Sequence, residues 1–313
     1  KIIKYSRDSI TISLYRPFTK KCLYFNRALN ERVYQIPKLF PTANHNNLVI
    51  CCATSKSSLP LMSKYLPDFQ INFNSQCFPR YYYTDSKGSN QQAKTLFNDE
   101  NEINGYVRHD GITDYILNKA KEKYGNDLPE ITKDQIYYYV YGVLHSTDYR
   151  ENFASDLKRM IPRLNLVKSV EKFKAYSDAG RELAKLHVNY ENFNPPRKVI
   201  VSGEETGNFH VEKMRFGKEK DKSIIHYNSQ ITISNIPLEA YNYIINSRSA
   251  IEWVMEFYRI KVDKDSGIKQ DPNDWAKETG NPRYILDLLL SLITVSLETL
   301  KIIEGLPKLK FNT

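Results

Sequence analysis

Residues 134–163 read DQIYYYVYGVLHSTDYRENFASDLKRMIPR and, after a short break, residues 179–190 read AGRELAKLHVNY. Core-forming side chains recur there at helical spacing: Ile136, Tyr139, Val140, Val143 and Leu144, then Phe153, Leu157 and Met160, then Leu183, Leu186 and His187. Thr132 stands where a cap would open the first helix, Ser146 or Thr147 where one would open the second, and Pro162 where the second would stop. Two helices joined by a turn as tight as 145–148 must bury their apolar stripes on each other or on a neighbour, because neither is stable with that stripe in water. The stretch therefore predicts a helical hub. It holds no nucleophile–base pair and no metal-ligand spacing, so its role is structural.

Outward from the hub the character changes. Toward the N-terminus, 9–15 alternates at period two, 21–25 follows after a break at Arg16–Lys20, and 48–53 is a short continuous apolar run. Residues 69–73 alternate again and 77–84 is aromatic and strand-like, so the first hundred residues read as mainly β, joined by polar loops. Around the hub, helices are expected over 112–124 and from about 170 to 190, with Asn194-Pro-Pro196 as a boundary. Beyond it, 198–202, 209–216 and 224–236 read as strands, 238–246 and 250–258 as helices, and 282–304 as a long helix, apolar nearly all round and therefore buried. The expected class is α+β: a β-rich basic lobe over 1–105, a helical hub over 106–195, and a C-terminal α/β lobe over 196–313 with a long buried C-terminal helix. All three would form one module.

At 313 residues the chain has room for two or three cores. An apolar content of 41% with a mean hydropathy of −0.55 fits a soluble folded protein, and 23 tyrosines against 14 phenylalanines give its aromatics a polar handle. The first residue is Lys and no secretory leader follows, as expected of a piece of something longer. The apolar run 288–297 is interrupted by Ser291, Thr294 and Ser296 and is far short of the ~20 residues a bilayer needs, so no membrane span is expected. Cys22, Cys51, Cys52 and Cys77 form no CxxC pair, which suits free thiols in a reducing cytoplasm.

The net charge of +9 is unevenly spread. Residues 1–100 carry 14 Lys and Arg against 6 Asp and Glu, residues 101–195 carry 14 against 14, and residues 196–313 carry 17 against 16. A surplus confined to one third of the chain is the electrostatic footprint of a polyanion binder. Within that third, Ser86-Lys-Gly-Ser-Asn-Gln-Gln-Ala-Lys94 joins two cations to Asn and Gln side chains able to pair with adenine edges. Arg80 with Tyr81–Tyr83, and Thr54–Ser58, are similar in kind.

Catalytic motifs are missing where they would be sought. Asn194-Pro-Pro-Arg197 has the letters of an amino-methyltransferase loop, but Arg197 takes the place of the stacking aromatic. Pro67-Asp68 and Asp156-Leu-Lys158 match a magnesium nuclease by letters only. The six histidines make no HxH or HxxxH; His210 and His226 could face each other across strands, where packing is the simpler reading than zinc. No glycine-rich phosphate loop is present.

Several separate blocks in order then resemble one family. They are Tyr15-Arg-Pro-Phe18 with Leu23-Tyr-Phe25, Tyr141-Gly-Val-Leu-His-Ser-Thr-Asp-Tyr-Arg150, Ala179-Gly-Arg-Glu-Leu-Ala184, Ser249-Ala-Ile-Glu-Trp-Val254, Asp271-Pro-Asn-Asp-Trp275 and Gly280-Asn-Pro-Arg-Tyr-Ile-Leu-Asp287. Together they resemble the C-terminal target-recognition, or specificity, domain of type ISP enzymes, the single-chain ATP-dependent restriction–modification family. The resemblance implies a non-catalytic module that selects double-stranded DNA for an N6-adenine methyltransferase and a nuclease lying upstream in a longer parent. It implies no cofactor for this piece, with S-adenosylmethionine, ATP and Mg expected in the parent, and the methyltransferase domain as partner. Expected DNA contacts are Arg16, Lys20, Lys21, Arg27, Lys56, Arg80, Tyr81, Lys87 and Lys94, with Asn90, Gln91 and Gln92 reading bases. The competing expectation is an interaction scaffold whose basic lobe docks the parent's other domains.

Overall fold

The computed structural model describes residues 4–31, 33–53, 58–72, 74–86, 102–125 and 127–309. The chain divides into two compact units, one of residues 1–16, 20–184 and 306–313, the other of residues 17–19 and 185–305. The class is α+β, as the residue patterns predict.

In the first unit, β1 (Ile10–Arg16), β2 (Thr19–Tyr24) and β5 (Leu66–Pro67) form one sheet in the order β2-β1-β5. A second sheet, β4-β3-β6, is built on β3 (Val49–Ala53) with β4 (Leu61–Ser63) and β6 (Ser75–Pro79) as antiparallel neighbours. Every residue of β3 is buried, as its unbroken apolar run requires. A third, β7-β9-β8, comprises β7 (Tyr81–Asp85), β8 (Glu102–Ile103) and β9 (Tyr106–Asp110). The short α1 (Ile36–Leu39) precedes β3, and α2 (Asp114–Tyr124) follows the third sheet.

The hub follows its sequence closely. In α3 (Lys133–His145) Thr132 forms a capping box with Gln135, and Ser146 accepts from the Tyr149 N–H to open α4 (Thr147–Asn152). The helix α5 (Val170–Val188) packs on α3 with backbone in contact. A Cβ on Gly142 would sit 2.2 Å from the Tyr176 carbonyl oxygen, and one on Gly180 1.9 Å from that of Tyr138.

Three expectations fail in this unit. Residues 69–72 form a turn, because the Asp68 carboxylate accepts from the Gln70 N–H. The aromatic stretch 77–84 is two strands in separate sheets, broken at Arg80, whose N–H goes to Leu48 and whose carbonyl accepts from Gly111. The second hub helix stops at Asn152 rather than at Pro162, leaving residues 160–169 without regular structure. Tyrosine hydroxyls hold that segment: Tyr139 donates to Asn165 O (2.6 Å), Tyr149 donates to Arg163 O (3.0 Å), and Tyr124 donates to Val167 O.

None of the four cysteines is in a disulfide. Cys51 and Cys77 stand opposite each other in the β3–β6 ladder with sulfurs 3.7 Å apart. Burial pushes the Cys52 thiol up to about 12, and Cys22 is exposed. Since the thiolate is the reacting form, a thiol titration of the native protein at pH 8 should show Cys22 reacting fast, with Cys51 and Cys52 reacting only on unfolding. Four fast thiols would contradict the placement of β3.

In the second unit, β10 (Ile200–Ser202), β11 (Arg215–Phe216), β12 (Ile225–His226) and β13 (Thr232–Ser234) form a sheet in the order β10-β13-β12-β11. The expected strand 209–216 shrinks to two residues because side chains take its backbone groups. Tyr227 donates to Phe209 O, Asn228 to Asn208 O and His210 O, and Asn273 both donates to and accepts from Val211. Residues 224–236 turn at Asn228, and 238–242 are a 3-10 helix rather than an α-helix. Ser249 and Glu252 make a capping box for α6 (Ala250–Phe257), and α7 (Asn273–Glu278) follows. The last helix, α8 (Tyr284–Glu304), is buried from Ile285 to Ser296 over nearly all its circumference. His187 sits in this core between the Thr299 hydroxyl (3.0 Å) and the stacked ring of Tyr243.

Candidate nucleic-acid interface

The pairing of β1 with β2 and β5 gathers cations around two tyrosine rings. Tyr15 carries the Arg16 guanidinium at 4.0 Å and the Lys21 ammonium at 4.6 Å from its centroid. Tyr65 carries Lys20 at 4.4 Å and Lys64 at 5.5 Å, and its hydroxyl lies 3.0 Å from Lys20 Nζ. Each such contact stabilises by roughly 0.5–1 kcal/mol at an exposed site. The consequence is more important than the magnitude. A tyrosine face orders a long cationic side chain without neutralising it, whereas a carboxylate does both. Of the four cations, Arg16 is paired with Asp68 at 3.0 Å. Lys21 makes no ion pair among the described residues; burial first, and then the neighbouring Arg16, push its ammonium below the usual lysine value. On this patch the Lys21 and Lys64 charges are held in place and, among the described residues, not spent on a carboxylate.

A third tyrosine is arranged similarly but ends differently. Tyr81 lies between Arg80 and Arg108, at 4.4 and 4.5 Å. Arg80, however, is only 7% exposed and binds Asp134 through Nε (2.5 Å) and Asp110 through Nη1 (2.6 Å). The expectation that Arg80 grips phosphate is therefore corrected: its charge is consumed in joining β9 to α3. Lys133 completes the network through Asp110 and Asp114. Lys20 is corrected in part, since it is 8% exposed and supports Tyr65 rather than offering its ammonium to solvent. Arg16 and Lys21 share the Tyr15 ring, Arg27 is exposed in the turn after β2, and Tyr81 is half-buried beneath its two arginines. Lys56, Lys87, Asn90, Gln91, Gln92 and Lys94 lie outside the described residues; the segment 86–94 follows the end of β7 at Asp85.

Sequence reasoning missed Tyr15, Lys64, Tyr65 and Arg108. A signal existed: Tyr15-Arg16, Lys64-Tyr65 and Arg80-Tyr81 each set a cation beside a tyrosine. Adjacency alone does not say which pairs stay charged. Among the described residues no group of three or more His, Cys, Asp or Glu comes together as a metal site, and His226 bonds to Thr232 rather than facing His210. No described helix is long and apolar enough to cross a membrane.

The architecture is shared with solved protein–DNA complexes. The Type ISP enzyme LlaBIII bound to DNA superposes with a TM-score of 0.85 at 36% identity, covering 100% of this chain and 19% of that one. A nuclease-deletion mutant of the Type ISP enzyme LlaGI with a DNA substrate mimic gives 0.80 at 37% identity, covering 100% and 26%. The DrdV–DNA complex gives 0.79 at 28% identity, covering 99% and 29%. The chain thus spans less than a third of the length of each. It belongs to the Type ISP C-terminal specificity domain family, whose model matches residues 1–288. No curated protein matches it.

Proposed function

We propose that this chain is the sequence-specific DNA-recognition module of a single-chain, ATP-dependent restriction–modification enzyme. It selects the site at which an adenine-N6 methyltransferase and a nuclease elsewhere in the parent polypeptide act. Family membership and the DNA-bound state of the similar structures support the reading. The observation that carries it is the Tyr15–Tyr65 patch, where Lys21 and Lys64 are ordered on rings and, among the described residues, are not cancelled by carboxylates, beside an Arg16 that shares the Tyr15 ring and pairs with Asp68. Duplex DNA would be the partner, with the parent's methyltransferase domain as the other. S-adenosylmethionine, ATP and Mg would be bound outside this chain, and the enzyme would work in the cytoplasm.

The test is a duplex-binding titration at two salt concentrations with the wild type and Lys21→Gln. The logarithm of the affinity should fall with the logarithm of salt by about 0.9 per neutralised phosphate, and Lys21→Gln should make the slope shallower by about one while weakening all sequences alike. Stability should barely move. A lysine held below its unfolded value opposes folding while charged, and that cost is lost as pH rises from the folded pKa to the unfolded one. Lys21→Gln removes that cost at neutral pH together with the Tyr15 contact that offsets it, so the variant should melt close to the wild type. An affinity indifferent to salt would sink the proposal. Charge reversal at Lys21 separates it from docking onto the parent: a docking surface would lose assembly, a DNA surface target binding.

A further inference from the structure

We infer that the outward face of the β7–β9 ribbon, formed by Tyr82, Thr84 and His109, is a base-reading surface that lies in the major groove of duplex DNA. The inference rests on the DNA-recognition reading above and deepens it, because the basic patch can position a duplex but cannot tell one sequence from another.

Alternation along the two strands separates two faces with opposite fates. Tyr83 turns inward: its hydroxyl donates to Asn46 O at 2.9 Å, and the His45 ring stands edge-on to Tyr83 and Tyr106. The neighbouring register pairs, Tyr82 with His109 and Thr84 with Val107, fall on the other face. There the Tyr82 and His109 rings stack at 4.9 Å and 20°, and Thr84 Oγ1 is 2.8 Å from His109 Nε2. Tyr82 remains 39% exposed and Thr84 is exposed, so this stack forms without a covering layer.

Two features give the face the character of a reader rather than a clamp. The first is charge. The ionic groups at the adjoining end of the ribbon balance, Arg80 and Lys133 being taken by Asp110, Asp114 and Asp134 and Arg108 lying on the Tyr81 ring. Phosphate affinity is thus placed on the Tyr15–Tyr65 patch and hydrogen-bonding capacity here. The second is uncommitted hydrogen-bonding capacity. The Thr84 hydroxyl can donate to His109 Nε2 or accept from it, so Nδ1, which has no partner among the described residues, is a donor in the first case and an acceptor in the second. As a donor it suits a purine N7 or O6, as an acceptor an amino edge, and the Thr84 methyl suits the thymine methyl. The short β8 pairs with β9 only at Tyr106 and Val107, so the sheet is two-stranded at the Tyr82–His109 pair, and a two-stranded ribbon fits the width of the major groove. The stacked Tyr82 ring holds the imidazole in plane, so little side-chain entropy is lost on contact.

The experiment is selection from a random duplex pool followed by sequencing, with the wild-type chain, Thr84→Val, His109→Phe and Lys21→Gln. Thr84→Val keeps shape and loses the hydroxyl; His109→Phe keeps the stack and loses both nitrogens. In the enriched motif each should lose about tenfold of its preference at one or two base pairs, with the salt slope and non-specific affinity unchanged. Lys21→Gln should give the converse, lower affinity with the motif kept. An unchanged motif in both ribbon variants, with wild type enriching one, overturns the ribbon assignment and leaves the module reading standing. A wild-type chain that enriches no sequence overturns both.

Discussion

Gly180→Ala is expected to destabilise the first unit by about 3 kcal/mol, although alanine is the better helix former by roughly 1 kcal/mol. The new methyl would fall 1.9 Å from the Tyr138 carbonyl oxygen and 2.8 Å from the Gly142 amide nitrogen. Both obstacles are backbone, so no rotamer change relieves them, and α3 and α5 must move apart. Separation would loosen the stack of Tyr139 on Phe173 (4.9 Å) and the edge contact of Tyr139 with Tyr176, both of which bridge these helices. Overpacking in a well-filled core costs typically 1–3 kcal/mol and more where backbone must yield. The melting temperature should drop by roughly ten degrees on the usual scaling. Gly305→Ala is the control, since a Cβ there meets nothing closer than 3.5 Å and its φ of −77° suits any residue. Gly180→Ala melting with the wild type would disprove the close crossing.

Arg80→Met should be nearly as damaging, about 2–3 kcal/mol, with no change in the salt slope of DNA binding. Removing one partner of a buried ion pair strands the other, which typically costs 3–5 kcal/mol. Asp110 and Asp134 keep 34% and 49% of their side-chain surface, so water compensates part of the loss. The pH dependence identifies the mechanism. Burial pulls Asp110 up, but hydrogen bonds from Arg80 and Lys133 outweigh it and hold the carboxyl below its ordinary 3.8. A carboxylate depressed in the folded state stabilises above its unfolded pKa, and that contribution is lost as pH falls through 3.8 toward the folded value. The gap between wild type and Arg80→Met should therefore be full at neutral pH and narrow below about pH 4. A variant of normal stability with a shallower salt slope would return Arg80 to the DNA-contacting set.

The sequence by itself determined the elements whose signals are local. The periodicity and caps at Thr132 and Ser146 placed α3 and the start of α4, the unbroken apolar run at 48–53 placed β3, and the all-round apolar 282–304 placed the buried α8. It also located the excess positive charge in the first third of the chain. Glycine in AGREL was visible as part of a resemblance, but its reason, a carbonyl 1.9 Å from where a methyl would go, lies 42 positions away at Tyr138. Tertiary structure alone decided where strands end, because Asn228, Asn273 and the hub tyrosines satisfy backbone groups far from their own place in the chain. It also decided which cations remain available. Arg80 and Lys21 look alike in sequence, but the first meets two carboxylates and the second a tyrosine face, and Coulomb energy depends on that distance rather than on position along the chain.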